Sequence, residues 1–180
     1  MVRLIDGRNK DIQWIIRQMN RSSQLDFEEG RAVVEKILSD VKNRGDEAIL
    51  EYSRRLDRAV FSAPEEMAVT RDEIARAYEK VSPRLVEILK KAKERIEKFH
   101  LKQKSNSWVS FEEDGTVLGQ KIQPMERVGI YVPGGRAAYP SSVLMNAIPA
   151  KVAGVEEIIM VTPPKPDGSV NPNTLVAADI

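Results

Sequence analysis

Cysteine is absent from all 180 residues, which excludes disulfides and thiolate metal sites. Histidine occurs once, as His100, so an imidazole-based metal centre has a single nitrogen ligand to draw on. No charge sign dominates: 28 basic against 27 acidic residues leave a formal net charge of +1, and no overall field recruits nucleic acid or an anionic membrane. No run approaches the roughly 20 apolar residues of a membrane span. Met1-Val-Arg-Leu-Ile-Asp6 lacks the apolar core of a secretory signal. The expectation is a cytoplasmic protein with neither membrane nor nucleic-acid partners.

What is present is a globular composition, with 42% hydrophobic and 31% charged residues, enough to bury a core. The first hundred residues carry helical periodicity. A short helix is expected over 11–19. A second, from about Asp26 to Arg44, should bury Val33, Val34, Ile37, Leu38 and Val41 on one stripe and end on Gly45 in a left-handed conformation. Asp46 is placed to cap a third helix with Ile49, Leu50 and Leu56. Thr70-Arg-Asp-Glu73 forms a capping box for a fourth helix, which runs through Val81. Ser82-Pro83 opens a fifth, with Leu85, Leu89, Ala92, Ile96 and Phe99 on its core face.

Near residue 107 the pattern changes from helical to alternating. Trp108-Val-Ser-Phe111 and Thr116–Ile122 flank an Asp114-Gly115 turn and predict a β-hairpin. Then come a strand at Arg127-Val-Gly-Ile-Tyr131, a loop at Val132-Pro-Gly-Gly135, a helix over 143–153 and a strand at Ile158-Ile-Met-Val161, the order of a β-loop-α-β unit. Two regions result, a helical one over 1–107 and an α/β one over 108–180, and both can share one core. Asn171-Pro172 starts a last helix that meets no terminating signal before Ile180, so the simplest reading is a piece of a longer protein.

Ligands of such units sit beyond the carboxyl end of the strand, which directs attention to the loop from Pro133 to Ser142. Gly134 and Gly135 can take positive φ and admit a ligand to the backbone, while Ser141 or Ser142 can cap the next helix, whose free N–H groups favour an anion. The pattern is neither G-x-G-x-x-G nor a phosphate-binding P-loop, and a plain strand-to-helix turn stands beside the ligand reading. Tyr131 has two roles open: core packing with its hydroxyl at the rim, or contact with a ligand. Pro149 implies either a kinked helix or two short ones.

Other features read as structural. His100 follows core Phe99 with no histidine at helical spacing. The basic helix from Arg84 to Lys104 reads as a solvated face, with a nucleic-acid or helical interaction module as a distant alternative. Glu65-Glu66, Glu112-Glu113 and Glu156-Glu157 are neighbours in sequence, a poor arrangement for acid/base pairs.

Tyr131-Val-Pro-Gly-Gly-Arg136, Tyr139-Pro-Ser-Ser-Val143, Ala147-Ile-Pro-Ala-Lys-Val-Ala-Gly-Val155 and Val161-Thr-Pro-Pro164 together resemble the amino-terminal part of histidinol dehydrogenases. Asn43-Arg-Gly-Asp-Glu-Ala48, Tyr52-Ser-Arg-Arg-Leu-Asp57 and Ile96-Glu-Lys-Phe-His100 resemble it more weakly.

The resemblance implies an incomplete Rossmann-like, aldehyde-dehydrogenase-like sheet domain in a zinc- and NAD-dependent homodimer that oxidises L-histidinol to L-histidine through the aldehyde. It assigns NAD contact to Tyr131 and, beside it, to Pro133, Gly134 and Gly135. The family's zinc ligands, two His with a Gln and an Asp, and its glutamate–histidine proton-transfer pair have no counterpart here and are expected beyond residue 180. A relative acting on another small polyol or sulfonated diol is the alternative enzyme reading.

Overall fold

A computed structural model of the chain describes residues 6–8, 11–20, 24–134 and 137–180. It divides into two compact units, Met1–Glu51 and Tyr52–Ile180. Helices and strands mix in an α/β arrangement, as composition and periodicity predict. Among the described residues no helix is long and apolar enough to cross a membrane.

The first unit is helical, with α1 at Ile12–Asn20, α2 at Gln24–Arg44 and the start of α3 at Asp46–Tyr52. Gly45 takes φ 58°, donates to the Val41 carbonyl and accepts from Ala48 N–H, so one residue ends α2 and begins α3. Asp46 is therefore the first residue of α3 instead of its cap. The stripe expected to be buried on α2 is largely open: Val33, Val34 and Leu38 are exposed, and only Ile37 and Val41 are half-buried. Periodicity identifies the face of a helix that requires a partner; it does not say that the partner lies in the same unit.

The second unit begins as α3 ends and passes through a π turn, Ser53–Asp57, which leaves Leu56 exposed. The turn closes on Arg58 in the left-handed region, and the Arg55 guanidinium lies 4.6 Å from the centre of the Tyr52 ring. A 3₁₀ turn at Pro64–Met67 follows, then α4 at Arg71–Lys80 and α5 at Pro83–Leu101.

The capping box forms as predicted. Thr70 Oγ1 accepts from Glu73 N–H at 3.2 Å, and Thr70 N–H donates to Glu73 Oε2 at 2.8 Å. The Thr70 backbone bond first, and then a bond that Thr70 Oγ1 donates to the same Oε2 at 2.8 Å, hold the Glu73 carboxyl below its ordinary 4.5. Thr70→Ala should cost about 1 kcal/mol at neutral pH. Since the folded value is depressed, the charge-dependent share of that cap is full above pH 4.5 and is lost as pH falls through the lower folded value. Urea unfolding at pH 7 and about pH 3 checks this, and an identical penalty at both would contradict it.

Ser82 caps α5 by accepting from Leu85 N–H, with Pro83 in the first turn. Leu89 is buried on α5, and Leu85, Ala92 and Ile96 pack beside it. Phe99 is 59% exposed and forms an edge contact with His100 instead of joining the core. It lies in the last turn of the helix, two residues before Leu101.

The hairpin pairs β1, Trp108–Phe111, with β2, Val117–Gln120, in antiparallel register, and Gly115 takes φ 85° in the turn. After it, β3 at Arg127–Tyr131 and β4 at Glu157–Val161 run parallel, joined through α6 at Pro140–Ala153. Pro149 lies inside this one helix, so the alternative of two short helices does not apply.

Last comes α7, Pro172–Asp179, capped by Asn171, whose Oδ1 accepts from Asn173 N–H at 2.9 Å. The core gathers Ala77, Val81, Leu89, Val132, Val143, Leu144, Ile148, Leu175, Val176 and Ala177. Residues of α4 and α5 thus share one core with the strand exit and with α6 and α7.

Candidate cofactor site at the end of strand β3

Strand β3 alternates half-buried and exposed positions, and β4 does the same in register. Val128, Ile130, Ile158 and Met160 form the half-buried set. Gly129, Tyr131, Ile159 and Val161 belong to the opposite, open face, and Arg127 bonds Glu157 at 2.6 Å at its start. Tyr131, at 61% exposure, ends this face. Core packing of the ring, one of the two readings open in the sequence, is not what the structure shows.

One residue on, Val132 N–H donates to the Val161 carbonyl at 2.9 Å, and the Val132 side chain is fully buried. The chain therefore leaves the sheet with Val132 anchored inward between exposed Tyr131 and exposed Pro133. Alternation across an extended strand produces this arrangement directly.

Gly134 does not use the left-handed backbone that its sequence suggested, since it is not among the positive-φ glycines. Its lack of a side chain has another cause. A Cβ there would lie 3.1 Å from the Pro163 carbonyl oxygen, 3.2 Å from Pro163 Cδ and 3.4 Å from Thr162 Oγ1. The glycine lets the β3 exit lie against the β4 exit. Gly135 falls outside the described residues.

The start of α6 also differs from expectation. Tyr139 occupies the cap position with no side-chain cap bond, Pro140 takes the first turn, and Ser141 and Ser142 are already helical. Proline at the first helical position needs no N–H partner, so the helix starts at Pro140, one residue before Ser141 and two before Ser142, the two expected caps. Tyr139 is 42% exposed.

Sequence reading missed the pins on α7. Tyr78 donates to Asp179 Oδ2 at 2.8 Å, and Lys93 donates to the Ile180 carbonyl. Burial first, then this hydrogen bond, pushes the Tyr78 hydroxyl up to about 12. Partners 101 residues apart leave no local signal.

The structure does not bring His100 to the β3 loop. Its Nδ1 donates to Gln103 Oε1 at 2.6 Å, and the residue borders a cleft of about 730 Å³ with Ser107, Pro124 and Val152. Among the described residues no three of His, Cys, Asp and Glu are arranged to hold a metal ion.

The sequence model described as histidinol dehydrogenase matches residues 20–180. The chain belongs to the histidinol dehydrogenase family. A histidinol dehydrogenase of Geobacter sulfurreducens is 55% identical over 146 residues, covering 81% of this chain and 34% of the relative. One from Clostridium acetobutylicum is 45% identical over 180 residues, covering 100% of this chain and 41% of the relative. A crystal structure of histidinol dehydrogenase from Elizabethkingia anophelis superposes with a TM-score of 0.76 at 36% identity, over 83% of this chain and 34% of that one. The chain thus spans between 34% and 41% of the length of these curated relatives, and the α/β arrangement is that of a histidinol dehydrogenase structure. These matches do not favour the reading as a dehydrogenase of another polyol or sulfonated diol.

Proposed function

We propose that this chain is the amino-terminal part of a histidinol dehydrogenase, an enzyme of histidine biosynthesis that oxidises L-histidinol to L-histidine through the aldehyde. In this reading residues 1–107 form a helical region. Residues 108–180 form an incomplete Rossmann-like, aldehyde-dehydrogenase-like domain that contributes to NAD binding. The full-length protein is a cytoplasmic homodimer that engages neither nucleic acid nor membrane.

The observation that carries the reading is the exposed Tyr131 ring at the carboxyl end of a parallel strand, where ligands of such sheets bind. Bound NAD supplies the hydride acceptor. Tyr131 offers an aromatic face, Pro133 fixes the backbone beside it, and Gly134 and Gly135 keep the loop free of side chains. The loop leads to an α6 amino terminus that no side chain caps; Pro140 has no N–H and those of Ser142 and Val143 bond the Tyr139 carbonyl, so it is the positive end of the helix dipole that suits an anionic portion of the cofactor.

The chain's fit to zinc is poor, since its described residues hold no metal cluster. Zinc ligands and the proton-transfer pair are assigned to residues beyond 180, and none of the roles given to this chain passes through the metal.

Full-length protein supplied with L-histidinol and NAD should form NADH, followed by absorbance, and should retain zinc after dialysis. The 180-residue chain alone should do neither. Turnover by the short chain would overturn the assignment of catalysis to later residues. A full-length protein that oxidises another diol but not histidinol would overturn the substrate.

A further inference from the structure

The β1–β2 hairpin is well formed yet covered on neither face. In its register Val109, Phe111 and Val117 share one face, at 63%, 79% and 57% exposure, while Trp108 and Leu118 share the other, at 51% and 53%. A two-stranded hairpin in water is marginal unless a third element covers it.

This hairpin is nevertheless tied at its base and braced across its strands. Ser107 Oγ donates to the Ile122 carbonyl at 3.1 Å and accepts from Ile122 N–H at 2.8 Å, and Trp108 Nε1 donates to Gln120 Oε1 at 3.2 Å. Apolar side chains on both faces of a braced hairpin describe an element to be enclosed from two sides. Contiguous exposed apolar surface of this kind marks a docking site.

Resting on the reading of the chain as part of a longer enzyme, we propose that the β1–β2 hairpin is a docking element for the segment that follows residue 180 in the full-length protein, which packs on both of its faces. The relatives' proportions favour this occupant. Residues of this chain account for 34% of the Geobacter sulfurreducens enzyme and 41% of the Clostridium acetobutylicum enzyme, so most of each lies outside the matched stretch. Enclosure from two sides also requires more than one flat patch from a single partner surface. The tip, Glu112-Glu113-Asp114, is acidic, with Glu112 accepting from Ser110 Oγ at 2.7 Å at the edge of the Trp108 and Leu118 face, and it favours a basic rim on the docking segment.

The test places a photoreactive benzophenone amino acid at Phe111 on one face and, separately, at Leu118 on the other, in the full-length protein. Equal amounts of isotopically light and heavy protein are mixed before irradiation, and the crosslinked peptides are sequenced by mass spectrometry. Both positions should crosslink to peptides beyond residue 180 of the same isotope label. Mixed-label crosslinks, indicating a second copy, crosslinks confined to peptides before residue 180, or no crosslink at either position would each overturn the proposal. Histidinol turnover measured on the same preparations separates the two readings. Active protein without the expected crosslinks removes the docking proposal alone, whereas inactive protein with them removes the enzymatic one.

Discussion

Leu144→Ala should cost about 2–5 kcal/mol of folding stability, the range for removing a leucine side chain from a packed core. Leu144 is 3% exposed on α6, between Val143 at 1% and, one turn on, Ile148 at 8%. Helix α6 contacts α5, α7 and both parallel strands, so a cavity there opens where these elements meet. The contrast is Val33→Ala on α2, where the side chain is 58% exposed and the change should stay within about 0.5 kcal/mol. Urea unfolding followed by circular dichroism compares them. A Leu144→Ala penalty no larger than that of Val33→Ala would mean that α6 is not the centre of the core.

Sequence and structure agree most closely where a few neighbouring residues decide the outcome. Thr70 with Glu73, Ser82 with Pro83, Asn171 with Pro172 and the Asp114-Gly115 turn all form as read, because each satisfies its backbone within three or four residues. Gly45 does likewise at the end of α2.

Disagreement begins where the outcome depends on what lies opposite. Val33, Val34, Leu38 and Phe99 have core-like spacing but no cover, and spacing cannot report a missing partner. Strand order and the location of the β3 loop were legible from the alternation of apolar runs with glycine and proline. The reason for Gly134 was not, because it lies in Thr162 and Pro163, close in space but 28 residues and more along the chain. Ser141 and Ser142 gave a good cap signal that Pro140 pre-empted. Tyr78 with Asp179 is the extreme case, a contact between two helix ends that no window of sequence contains.

Tyr131 joins the legible strand to the proposed chemistry, and its exposure makes the expected result unusually separable. A ring that is 61% exposed contributes little to the core, so Tyr131→Ala should change stability by under about 1 kcal/mol. Tyr131→Phe, which removes only the hydroxyl, should change it less. Stacking of a nucleotide base on an aromatic face is worth about 1–3 kcal/mol. Loss of a comparable contact should therefore raise the Michaelis constant for NAD about tenfold in the alanine variant, since tenfold corresponds to roughly 1.4 kcal/mol.

The most direct measurement is therefore the Michaelis constant for NAD of full-length Tyr131→Ala, taken together with the constant for histidinol and the melting temperature. The account predicts a rise in the NAD constant of about tenfold, with the histidinol constant and the melting temperature close to those of the unaltered enzyme. An unchanged NAD constant with a sharply lowered melting temperature would contradict it and return Tyr131 to a structural role.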